Sequence, residues 1–144
     1  MTDLSRTQLI ATLNYGWGTY VARYRALSPA QQQQWLAGQG YPSFRDLLAH
    51  VVAWWVDGQK IIAHTAAAPA YPLRDYDVDA FNAEAVAQYA GLDEAAMVAA
   101  YEQARAAWIP LIESLSDAAF HNPKIADRLY PEIIGHLEEH TLPG

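Results

Sequence analysis

The chain has 144 residues and no cysteine, which indicates one domain with one core and excludes disulfide scaffolds, cysteine nucleophiles, thiolate zinc sites and iron–sulfur clusters held by thiolates. Nine Lys and Arg stand against 16 Asp and Glu, giving a formal charge of -7; that is the wrong sign for contact with a phosphate backbone, so no nucleic-acid partner is expected. Hydrophobic residues make up 52% and charged residues 17%, a composition that folds, and no apolar run approaches the ~20 residues of a membrane span. Met1–Ile10 has polar spacing where a signal peptide would be apolar, so a cytoplasmic location is expected.

Leu9, Leu13, Trp17, Tyr20, Tyr24 and Leu27 recur at three and four residues, which predicts a first amphipathic helix over 4–27. Ser28-Pro29, with Gln31 completing a capping box, opens a short helical connector through Trp35 and Leu36, before Gly38 and Gly40. Ser43 and Asp46 form a second box before Phe44, Leu47, Leu48, Val51, Trp54, Trp55, Ile61 and Ile62, placing a second helix at about 43–66. Pro69 and Pro72 lie in a crossover over 66–77, long enough for the third helix to pack away from the second. A short helical piece follows from Asp79 to about Ala90. A long third helix starts at Asp93, with the stripe Met97, Tyr101, Ala104, Trp108, Leu111 and Leu115 and a kink expected at Pro110. Pro131 fits the first position of a short fourth helix through Ile133, Ile134, His136, Leu137 and His140. Four helices with one long crossover describe an all-α four-helix bundle.

His136 and His140 are one helical turn apart and project from one face, so they can chelate one ion. A third ligand must come from another helix, and His50, beside Leu47 and Trp54 on the inward flank of the second helix, is the best placed. Three neutral imidazoles suit Zn, Ni, Cu or Fe(II) and leave coordination positions for water or substrate. The bland alternative is a pair of core or boundary histidines. A zincin motif is the poorer alternative, because Leu137 stands where that motif needs Glu. His64 lies ~21 Å along the helix from His50, too far to share an ion, and His121 falls in a turn. Asp57, two turns past His50, is a candidate for proton transfer, or a solvated charge. Adjacent Trp54 and Trp55 point about 100° apart, so one of them is expected to reach a pocket or an interface. Tyr15, Tyr20 and Tyr101 have hydroxyls able to orient a substrate.

Ser43-Phe-Arg-Asp-Leu-Leu-Ala-His50-Val-Val-Ala-Trp54 resembles the second helix of DinB-like four-helix bundles, and His136-xxx-His140 resembles their last-helix pair. The resemblance implies a divalent transition metal, Zn or Ni foremost, held by His50, His136 and His140 in that order. Asp77-Val-Asp-Ala-Phe81-Asn82, followed by the Tyr101–Leu115 helix, is most similar to the DfsB and ClbS branch. That branch includes a protein that hydrolyses an electrophilic cyclopropane without requiring a metal, whereas other branches use a metal-held thiol for transfer or isomerisation. Three readings follow: a metal-dependent hydrolase or thiol transferase acting on a small molecule, with Trp54, Trp55 and Asp57 at its pocket; a metal-independent protective protein that binds or hydrolyses an electrophile; and a non-catalytic bundle that dimerises through surplus aromatics. A homodimer is the expected assembly.

Overall fold

The computed structural model describes residues 5–144, all of whose regular elements are helical. The expected start of the first helix at Leu4, and the part of the Met1–Ile10 reading that falls on residues 1–4, lie outside the described residues. Ser5 and Gln8 cap each other's backbone and start α1 (Arg6–Ala11). Helix then widens into a π-helical turn over Thr12–Trp17 before α2 (Tyr20–Ala26). The expected stripe is kept through this widening, since Leu9, Leu13, Trp17, Tyr20 and Tyr24 are all buried.

Ser28 and Gln31 form the expected capping box, with Pro29 at the first helical position. The helix α3 (Pro29–Gln39) runs further than the sequence suggests and stops where Gly40 adopts φ 82°, a left-handed conformation that only glycine takes without strain. Ser43 caps the 24-residue helix α4 (Phe44–Ala67) by accepting from the Asp46 amide. Asp46 gives no reciprocal cap, because its carboxylate pairs with Arg45. The crossover follows α4, and Lys124 holds it by donating to the carbonyls of Pro69 and Tyr71.

Asp77 rather than Asp79 caps α5 (Val78–Gln88), and Asp93 caps α6 (Glu94–Ser114), which carries Pro110 inside it. A short α7 (Asp117–Phe120) comes next. The final helical run corrects the sequence reading: Asn122 caps α8 (Pro123–Tyr130), and helix continues through a π-helical turn over Pro131–Gly135 into α9 (His136–Glu139). Pro131 therefore sits inside helical chain, not at its start. It lacks the amide that an α-helical bond would need, and the His136 amide instead reaches the Pro131 carbonyl, one residue further than in an α-helix.

The long helix α4 packs chiefly against α6, and also against α5 and α8. At the centre Trp17 meets Trp55 edge-on, with centroids 4.9 Å apart, and Trp55 stacks on Tyr101 at 5.6 Å. Each fully buried large apolar side chain contributes about 2–3 kcal/mol, and the buried polar tips act as fasteners. Trp17 Nε1 donates to the Ile133 carbonyl at 2.7 Å, Tyr20 Oη to the His140 carbonyl at 2.6 Å, and Tyr101 Oη to the Trp17 carbonyl. Tyr20 and Tyr101 thus spend their hydroxyls on the backbone of the core, while Tyr15 is exposed. No described helix is long and apolar enough to cross a membrane.

Candidate metal centre

His50 projects from the buried side of α4, His136 opens α9, and His140 ends it. Together they form a near-equilateral triangle, with ring centroids 5.4 Å apart for His50 and His136, 5.2 Å for His50 and His140, and 5.8 Å for His136 and His140. One ring nitrogen from each lies within 4.8 Å of the other two. The three positions singled out in the sequence are thus brought together.

Each imidazole is fixed through Nδ1. The indole of Trp54 can only donate, so the Asn82 atom 2.7 Å from Trp54 Nε1 is the amide oxygen. That same oxygen lies 3.0 Å from His50 Nδ1, which makes Nδ1 the protonated nitrogen of His50. His136 Nδ1 lies 3.0 Å from the Glu132 backbone carbonyl, also an obligate acceptor, and 3.2 Å from its carboxylate. His140 Nδ1 lies 2.6 Å from Gln39 Oε1. Nε2 of His50 and of His136 is therefore left as an unprotonated lone pair, and the oxygen-inward orientation of the Gln39 amide leaves His140 Nε2 the same.

Electrostatics keeps them so. Burial foremost, with the neighbouring imidazoles adding to it, lowers His50, His136 and His140 to about 4 each, against the opposing hydrogen bonds that His50 donates to Asn82 and His136 to the Glu132 carbonyl. At neutral pH the set is three uncharged donors. Nε2 of His50 and of His140 is buried with no hydrogen-bond partner, an arrangement that native interiors rarely leave uncompensated. A divalent ion ligated by imidazole supplies the missing partner, so the donor set fits a nitrogen-preferring transition metal.

A cavity of about 330 Å³ opens beside the triad. His50 and His136 line it together with Trp54, Val78, Asn82 and Glu139. Of the two adjacent tryptophans, Trp54 is the one in this wall, packed against Phe81 at 4.0 Å. Trp55, expected as a pocket candidate, is instead fully buried in the core, where its Nε1 donates to the Glu132 carbonyl at 2.8 Å.

Asp57 is absent from this cavity's lining and faces a different, smaller one. Its carboxylate accepts from Arg74 at 2.8 Å, Arg128 at 3.0 Å and the hydroxyl of Tyr76. Arg128 also donates to Glu132 at 2.9 Å, and Glu132 in turn touches His136. Asp57 thus connects to the triad through two intervening side chains and is neither a ligand nor a solvated charge. Burial pushes the Glu132 carboxyl up to about 7, opposed by the adjacent Arg128 guanidinium.

Sequence reasoning did not single out Asn82, Gln39, Glu132 or Arg128 as parts of the site. Glu132 carried a usable signal, lying four residues before His136; Gln39 and Asn82 carried none, since each comes from a separate helix. His64 is exposed and stacks on Tyr71, and His121 is exposed with Nδ1 at 2.8 Å from the Asp117 carbonyl, both apart from the triad. Comparison of the chain with protein-family models, with curated proteins and with solved structures finds no match.

Proposed function

We propose that this protein holds one divalent transition metal, Zn or Ni foremost, through Nε2 of His50, His136 and His140, in a DinB-like four-helix topology, and acts on a small molecule by hydrolysis or thiol transfer. The observation that carries the reading is the triad itself: three neutral imidazoles with their lone pairs free, two of them buried without partners, beside a cavity of about 330 Å³. When bound, such an ion supplies Lewis acidity, which makes a water or a thiol nucleophilic at neutral pH. The chain's own part is to hold the rings through Asn82, the Glu132 carbonyl and Gln39, and to shelter the substrate between Trp54, Val78 and Asn82. Three protein ligands would leave a coordination position for water or substrate, as catalytic rather than structural sites do, and His50 and His136 line the cavity.

Elemental analysis of untagged protein, beside the His50→Ala, His136→Ala, His140→Ala triple variant, tests the proposal. Near-stoichiometric Zn or Ni in the wild type, absent from the folded triple variant, supports it. No metal in either after incubation with Zn and Ni overturns it. The Trp54 indole in the cavity wall, packed on Phe81 behind it, favours a second reading, metal-independent capture or hydrolysis of an electrophile; an activity that survives His50→Ala in the folded protein would select it.

A further inference from the structure

The hydrogen bonds around His50 run in an order that assigns a role to two residues that offer no atom to an ion. Trp54 Nε1–H is a donor without an acceptor function, and it lies 2.7 Å from Asn82 Oδ1. This contact prevents the Asn82 amide from flipping, because the flipped amide would set two donors against each other. With the oxygen held in place, its second lone pair accepts from His50 Nδ1 at 3.0 Å, and the imidazole must present Nε2 as a lone pair. Were the amide free to flip, its NH₂ would donate to Nδ1, the ring proton would move to Nε2, and His50 would lose its donor atom on the triad side.

Resting on the metal-site reading above, we infer that Asn82 is a positioning residue that fixes the His50 tautomer, and that Trp54 acts through it as the lock on the amide. Asn82 belongs to α5, which also supplies Val78 to the cavity wall. The same short helix therefore shapes the substrate cavity and readies a ligand, so docking of α5 on α4 completes both together. Among the described residues no other group hydrogen-bonds His50 Nδ1; its other polar atom, Nε2, is the buried partnerless one. Outer partners of this kind change metal affinity by about 10–100-fold when removed.

The test uses the full chain without metal and then with Zn. Long-range ¹⁵N–¹H spectra of the metal-free wild type should show His50 protonated at Nδ1. In Asn82→Leu, which keeps bulk but removes the acceptor, the signature should shift to Nε2–H or a mixture, with Zn affinity, by chelator competition, falling about 10–100-fold. Trp54→Phe should give a mixed tautomer and a smaller loss although it touches no imidazole, and Asn82→Asp, which keeps oxygen acceptors for both partners, should retain Nδ1–H and the affinity.

An unchanged Nδ1–H signature in both Asn82→Leu and Trp54→Phe would overturn the inference. If Asn82→Leu fails to fold, an unchanged Nδ1–H signature in Trp54→Phe, or loss of Nδ1–H in Asn82→Asp, overturns it. Should the tautomer respond as described while the wild type binds no Zn, the positioning role stands and the metal reading alone falls. Zn binding with an unresponsive tautomer has the converse meaning.

Discussion

Acid should destabilise the metal-free protein through its three buried histidines. Each has an ordinary value of 6.5 that burial lowers to about 4 in the folded chain. A depressed folded-state value means that stability is complete above 6.5 and is lost as pH falls through the window from 6.5 to about 4, because the unfolded chain takes up protons that the folded chain refuses. At about pH 5.5 an unfolded imidazole is largely protonated and a folded one is not, a difference of about 1.4 kcal/mol each and about 4 kcal/mol for three. That is a large part of a typical 5–15 kcal/mol stability. Urea unfolding in a chelator at about pH 7.5 and 5.5 measures it, and the His50→Ala, His136→Ala, His140→Ala variant provides the reference that removes contributions from carboxylates. A wild-type loss exceeding that of the folded triple variant by several kcal/mol is expected. Equal losses in the two proteins would refute the argument that these rings are neutral and desolvated.

Two substitutions probe the support behind His136. A Cβ at Gly58 would lie 2.7 Å from Glu132 Oε2 and 3.3 Å from Arg128 Nε, so Gly58→Ala should push the carboxylate off its partners and cost about 1–3 kcal/mol in urea unfolding; a neutral result would mean that the pair yields without loss. Arg128→Met removes the cation shared by Asp57, Tyr76 and Glu132 and should cost about 3–5 kcal/mol, the scale of leaving a buried charge unpaired. Retained stability in that variant would show that Glu132 is neutral in the native chain.

How far the fold could be read from the sequence depended on whether a signal was local. The capping box at Ser28, the cap at Ser43 and the stripe from Leu9 to Tyr24 are local, and helices start and bury where those residues indicate. Pro131 misled because proline at a first helical turn and proline inside a π-helical turn satisfy the same constraint, a missing amide; only the 123–130 segment ahead of it, itself capped by Asn122, tells them apart. The histidines were legible because a spacing of four on one helix and an inward flank on another are both local patterns. Asn82 and Gln39 were not, since an amide 32 residues from one histidine and 101 from another is brought there by packing alone.

The adjacent tryptophans join these observations. Pointing about 100° apart, Trp54 and Trp55 leave α4 in two directions, and each indole donates to an oxygen that a triad histidine also uses: Trp54 shares Asn82 Oδ1 with His50, and Trp55 shares the Glu132 carbonyl with His136. The second arrangement lies within the Pro131 irregularity, since the π-helical turn spans Pro131–Gly135, where the carbonyls of Glu132 and Ile133 accept the buried indoles of Trp55 and Trp17. Core and site are therefore one construction on this side of α4. The two positions should nevertheless part under the same substitution. Trp55→Phe leaves His136 its backbone acceptor, which cannot flip, so unfolding should register a loss of about 1–3 kcal/mol from the emptied volume and the broken bond while Zn affinity stays within about threefold. Trp54→Phe, in the half-buried cavity wall, should cost less stability than Trp55→Phe and more affinity, because its acceptor is an amide free to turn once the indole is gone. A common pattern in both variants, measured by urea unfolding and chelator competition, would refute the division of labour between them.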